Sequence, residues 1–156
     1  MRFHILQKTA VILVTMLVCA QSAPTAPPVT PSSPVFSKRD SINDCGDSTF
    51  IDGSSSGSPT VADCLQLAAN IAGGGTWTEI GSGFKTLATY GTCAFGVQVD
   101  VAVAGLFNVG NQDIIDLINS SNELFNWNGL MGASGQMPCQ QPLGDPVPVN
   151  WAIYHT

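Results

Sequence analysis

The residue types that most often carry chemistry are sparse in this chain, and their spacing argues against catalysis. His155 is the one histidine outside the N-terminal region, and it stands beside the chain's end. A nucleophilic triad needs a rigidly held base, whereas chain ends usually fray. Asp44, Asp47 and Asp52 cluster, and paired carboxylates can cleave a glycosidic bond. Their Ser/Gly-rich setting reads more simply as a solvated acidic surface, and their order does not follow a calcium loop. Trp77, Trp127 and Trp151 could stack on sugars if exposed, but aromatic residues in a small domain usually pack inward. Cys45, Cys64, Cys93 and Cys139 form no Cys-x-x-Cys pair, so with a single histidine a zinc site is not expected. No catalytic, metal-binding or cofactor-binding residue is assigned. The expectation is a protein without a cofactor that is not an enzyme.

Two N-terminal segments stand apart from any fold. Residues 1–20 carry Arg2 and Lys8 ahead of the apolar run Ala10 to Val18, with Val18 and Ala20 as small residues at a cleavage site. That is the layout of a secretory signal peptide, and the run is too short for a membrane anchor. Residues 21–39 are rich in proline, serine and threonine, which leaves little to bury and predicts disorder. They end in Lys38-Arg39, a dibasic pair placed for a processing protease. The expected product is a secreted, extracellular domain at residues 40–156.

That domain has 117 residues, enough for one core. Lys85 is its only lysine or arginine against eleven acidic residues, so its net charge is −10, whereas the whole chain carries −6. A surface so short of cations has almost nothing with which to neutralise phosphates, which excludes nucleic acid as a partner and gives no attraction to anionic lipid. A basic protein surface and a neutral glycan both remain open. A monomer without membrane insertion is expected.

Cys19 lies in the signal peptide, and the remaining four cysteines read as two disulfides. Three pairings are open. The preferred one joins Cys64 to Cys93, helix to strand, and Cys45 to Cys139, tying the two ends together. Asn119-Ser120-Ser121 is an N-glycosylation sequon, although it falls within or near the end of a predicted helix, where use is less favoured.

These residues must be held by a small set of elements. Gly91 to Val99 alternates, with Cys93, Phe95, Val97 and Val99 on one face and Thr92, Ala94, Gly96 and Gln98 on the other. Such alternation predicts a half-buried antiparallel strand in the centre of a sheet. Thr60, with Asp63 three residues on, predicts a helix start, and Val61, Cys64, Leu65, Ala68 and Ile71 or Ala72 its buried stripe. Gly73-Gly74-Gly75 ends it; a glycine triplet after a helix is not a phosphate cradle. Residues 49–51, 76–80 and 84–90 read as strands, with a turn at Gly81-Ser82-Gly83. Residues 100–107 are expected to form a hairpin with Cys93–Val99. A second helix should begin near Gly110, with Asp113 at its positive end and Ile114, Ile115, Ile118 and Phe125 buried. Residues 130–137 and 147–154 are late strands, separated by Pro138, Pro142, Pro146 and Pro148. The fold class is α+β: an antiparallel β-sheet with two α-helices packed on one face and two disulfides, a small α/β sandwich.

Several ordered motifs then resemble a known family. They are Cys-Gly-Asp-Ser-Thr-Phe at 45–50, Ser-Pro-x-Val-Ala-Asp-Cys at 58–64, Gly-Thr-Trp-Thr at 75–78, Gly-Thr-Cys-Ala-Phe-Gly-Val at 91–97, Gly-Asn-Gln-Asp-Ile at 110–114 and Val-Asn-Trp-Ala-Ile-Tyr-His at 149–155. Together they resemble the fungal extracellular-protein effectors of the leaf-mould type, the necrosis-inducing factor family, across about residues 44–155. The resemblance implies a secreted fungal protein with two disulfides, a role in virulence or host cell death, and no established enzymatic activity. Its target would be a host or competitor component at the cell surface or in the apoplast. The layout is also similar, more distantly, to the killer toxins of smut fungi, which makes an antimicrobial protein against competing microbes the alternative. Those toxins are generally basic, and this domain is strongly acidic. A glycan-binding module is the third expectation.

Overall fold

The computed structural model describes residues 41–99 and 105–156. The signal-peptide, linker and Lys38-Arg39 processing expectations lie outside these residues. So do Val101 and Val103 of the expected hairpin.

Among the described residues seven strands and two helices follow one another: β1 (Ile51–Asp52), α1 (Val61–Ile71), β2 (Thr76–Ile80), β3 (Lys85–Tyr90), β4 (Cys93–Val99), β5 (Leu106–Gly110), α2 (Asn111–Phe125), β6 (Ala133–Cys139) and β7 (Val147–His155). Five strands form an antiparallel sheet in the order β1-β6-β7-β4-β3, and β2 pairs with β5 in a separate ribbon. Helix α1 packs against α2, β3 and β4. The expected α+β class with two disulfides is observed.

The period-two alternation sets the two faces, but β4 is not half-buried as expected: Ala94 and Gly96 are buried as well, Gly96 beneath the Phe84 ring, and within the strand Gln98 is the exposed residue. Cys93, Phe95, Val97 and Val99 of β4 are buried beside Val147, Val149, Trp151 and Ile153 of β7. Each large apolar side chain buried this way stabilises the fold by about 1.5–3 kcal/mol. Phe50 and Phe95 flank the Trp151 ring at 5.4 and 6.2 Å, and its indole N–H donates to Ser48 Oγ at 2.7 Å. The buried ring therefore keeps its polar edge satisfied.

Both disulfides follow the preferred pairing, Cys45–Cys139 and Cys64–Cys93. Their sequence separations of 94 and 29 residues correspond, in the chain-entropy picture, to roughly 4.7 and 3.6 kcal/mol of stabilisation.

Four other local expectations are corrected. Strand β5 pairs with β2 and not with β4, because β4 already has β3 on one edge and β7 on the other. In α1 the buried residues are Cys64, Leu67 and Ala68, while Leu65 is exposed. The helix faces α2 as well as the sheet, which turns its stripe toward position 67. Similarly, Leu117 joins Ile114 and Ile118 in the core, with Ile115 and Phe125 only partly buried. Finally, Pro138 and Pro148 lie inside β6 and β7, opposite one another. The Pro138 carbonyl accepts from Gly46 N on the side away from β7, so the missing proline N–H faces away from that ladder. Pro148 lies one residue beyond the last β4 pair, Val99 with Val149.

Candidate functional site

Two carboxylates are drawn into the structure and have perturbed acidities. Asp63 sits in the first turn of α1, whose N-cap Thr60 accepts from the Asp63 backbone N–H at 3.2 Å. Its Oδ2 accepts from the Thr92 hydroxyl at 2.6 Å and the Thr92 N–H at 2.9 Å. The Thr92 hydroxyl in turn accepts from Thr60 N at 3.0 Å. The Thr92 hydroxyl chiefly, with its N–H and Thr60, holds the Asp63 carboxyl below its usual range. Between β3 and β4 the chain turns through Gly91 at φ +54°, and a Cβ there would collide with the Asp63 carboxylate. The knot fastens the start of α1 to the β3–β4 turn, one residue from each half of the Cys64–Cys93 bridge.

Asp113 fastens the other end of the domain. Its Oδ2 accepts from the backbone N–H groups of Asp44 (2.8 Å), Cys45 (3.1 Å) and Gly110 (2.8 Å). Burial raises its pKa despite those three donors, with Asp44 adding like-charge repulsion. Next to it lies a cleft of about 390 Å³ bordered by Asp47, Phe50, Asp116, Ser120 and Met137. Asp113 is a tether through Oδ2, which takes all three of these backbone bonds. Asn111 works beside it, accepting from Ile42 N at 3.0 Å and donating to the Ile71 carbonyl at 3.1 Å.

The outward face of the five-stranded sheet has a different character. One register row crosses all five strands: Ile51, Ser134, Ala152, Gly96 and Thr86. The next row aligns Gln136, Asn150 and Gln98, with the Gln136 amide donating to Asn150 Oδ1 at 3.1 Å. Phe84 lies over Gly96, where an added Cβ would meet its ring at 2.5 Å. Its ring meets Tyr154 edge-on at 5.2 Å, and the Tyr154 hydroxyl is 2.6 Å from Thr86 Oγ1. None of these side chains is charged. At one margin Ser134, Ala152 and Tyr154 run into a groove of about 300 Å³ whose far side includes Ser55, Ser58 and His155.

The residues singled out from sequence do not converge. His155 ends β7 opposite Cys93, held in a ladder and not frayed, and its Nδ1 lies 2.9 Å from the Thr156 carbonyl. Ser58 Oγ in the same groove accepts from Ser55 N. Asp44 accepts from the Thr76 hydroxyl, 32 residues away, and Asp52 from Ser54 N, two residues away, both structural bonds. Trp151 is core, Trp77 is half-buried against it, and Trp127 is 48% exposed. Asn119 is exposed on α2. Among the described residues no group of three or more His, Cys, Asp or Glu side chains is placed to hold a metal ion. The Phe84–Tyr154 pair joins residues seventy apart in sequence and belongs to no local motif. The available signal was the small outward residues Ala94 and Gly96, which leave room for a ring above the strand.

The fold, its two bridges and the two carboxylate tethers define a small, cysteine-braced α+β domain. The chain belongs to the Hce2 family, described as "Pathogen effector; putative necrosis-inducing factor", whose sequence profile matches residues 44–139. It is also 40% identical over 116 residues to a protein from Penicillium expansum named "Probable chitinase LysM18", covering 72% of this chain and 8% of that protein. A second protein from the same organism, "Secreted chitinase LysM12", is 35% identical over 112 residues, covering 69% of this chain and 7% of the relative. The chain thus spans less than a tenth of the length of the curated relatives it matches.

Proposed function

We propose that this protein is a secreted effector that acts extracellularly by binding a target, without catalysis, through the outward face of its sheet. The observation that carries this reading is the uncharged row from Ile51 to Thr86, capped by Phe84 and Tyr154, in a domain of net charge −10. Such a face offers apolar contact and amide hydrogen bonds without the repulsion that the acidic surface imposes elsewhere. The two perturbed carboxylates support the non-enzymatic part, since both serve as acceptors for backbone or threonine groups. The target class favoured is a host component at the cell surface or in the apoplast.

The full secreted protein and a Phe84→Ala/Tyr154→Ala variant are infiltrated into plant tissue and added to fungal cultures in parallel. Expected is plant cell death by the wild type, lost in a variant whose circular dichroism is unchanged. Growth inhibition of fungi without plant cell death would instead support an antimicrobial toxin. Cell death undiminished by the double substitution would remove the sheet face from the reading.

A glycan is the second reading, favoured by the neutral, hydroxyl-lined groove beside Tyr154 and by relatives whose names mark them as chitinases. Retention of the protein on insoluble chitin or glucan, weakened by Tyr154→Ala, would support it.

A further inference from the structure

Helix α2 buries a stripe at Ile114, Leu117, Ile118 and Ser121, the i, i+3, i+4, i+7 spacing of a core face. Three of the four are large and apolar. Ser121 is fully buried, and its hydroxyl has no hydrogen-bond partner. An unsatisfied buried hydroxyl costs about 1–3 kcal/mol, so alanine would serve the folded helix at least as well. The fold therefore gives no reason for the oxygen. The sequence does, because Ser121 is the hydroxyl residue of the sequon Asn119-Ser120-Ser121. Asn119, two positions away, points out of the core and is exposed.

We propose that Asn119 is N-glycosylated, and that this happens before α2 folds. A transferase that reads the Ser121 hydroxyl cannot reach it once the helix is docked, because no part of that side chain remains accessible. The acceptor is thus the nascent chain, and folding then buries the hydroxyl and leaves the modified amide outside. The donor class is an oligosaccharide carried on a lipid pyrophosphate. The Asn119 Nδ2 attacks the anomeric carbon and forms the C–N bond. The C–O bond to phosphate breaks, the lipid pyrophosphate leaves, and the amide proton passes to a base of the transferase.

The glycan would stand on the outer side of α2, one turn from Asp116 and next to Ser120, which border the acidic cleft. It would cover that side of the domain and leave the outward sheet face bare. The proposal does not depend on what that face binds.

The test uses the full chain secreted from a eukaryotic host, with wild type, Asn119→Gln and Ser121→Ala compared by intact mass and by peptide-N-glycosidase treatment. Expected is an added oligosaccharide mass on the wild type, removed by the glycosidase with aspartate left at 119, and absent from both variants. Ser121→Ala should also unfold at the same or a higher urea concentration than enzymatically deglycosylated wild type, because no bonded hydroxyl is lost. A wild type of unmodified mass, or sugar still present on Ser121→Ala, would overturn the proposal. A Ser121→Ala variant clearly less stable than deglycosylated wild type would show that the fold uses the hydroxyl, and would remove the argument.

Discussion

Replacing Asp113 by alanine removes one oxygen that accepts three backbone N–H groups, from Asp44, Cys45 and Gly110. A hydrogen bond to a charged group contributes about 1.5–3 kcal/mol, but three that share one acceptor are less than additive. Part of the gain is already offset, since burial holds the Asp113 pKa above its ordinary 3.8. The residue is only 8% exposed, so water cannot fully replace the lost acceptor. The net cost of Asp113→Ala should be roughly 2–4 kcal/mol. Asp113→Asn keeps an acceptor oxygen and removes the buried charge, so it should cost about 1 kcal/mol. Urea unfolding followed by circular dichroism at pH 7 measures both, after coincident probes have shown a two-state transition.

The same variant has a pH signature. With a folded pKa above the unfolded value, the native state binds more protons between the two, so wild-type stability from this group falls as pH rises through that window. Asp113→Asn lacks that loss, and its cost relative to wild type should be larger at pH 3 than at pH 7. If Asp113→Ala costs under about 1 kcal/mol, or alanine and asparagine cost the same, the carboxylate is not the tether described.

Asp63 should respond in the opposite sense. Its pKa is lowered, so its contribution is present above the unfolded value and lost as pH falls through the folded one. The cost of Asp63→Asn should therefore be largest at neutral pH and shrink in acid, read from urea midpoints across pH 2–7. A cost that grows in acid would contradict the Thr92 bonding. Gly135→Ala would push a Cβ into the Thr49 carbonyl and the Trp151 ring, and should cost about 3 kcal/mol or more. Gly73→Ala, with nothing within 4 Å of the new atom, should stay within about 0.5 kcal/mol in the same assay.

Sequence by itself determined the parts whose signals are local. The alternation from Cys93 to Val99 placed β4 and its buried face, because a strand's side chains must alternate. Thr60 and Asp63 marked the start of α1, since a cap bond spans three residues. The glycines at 73–75 marked its end, and Gly74 and Gly75 do take positive φ. An even set of four cysteines in one small domain gave two bridges, and the helix-to-strand pairing followed from placing those two elements first.

Tertiary structure alone decided where each element found its partner. Neither β5's own residues nor their period says that it meets β2, because the edges of β4 are filled by β3 and by β7, the latter about fifty residues further on in the sequence. Asp113 looked like a charge at a helix end, a local role, and became the acceptor for backbone groups 68 and 69 residues away. Leu65 and Leu67 are equally apolar, and only the direction of approach of α2 chose between them. Phe84 and Tyr154 share an outward face because β3, β4 and β7 are neighbours, a fact of strand order that no local pattern carries. The candidate binding face is built from such long-range neighbours. It exists only where β3, β4 and β7 lie side by side.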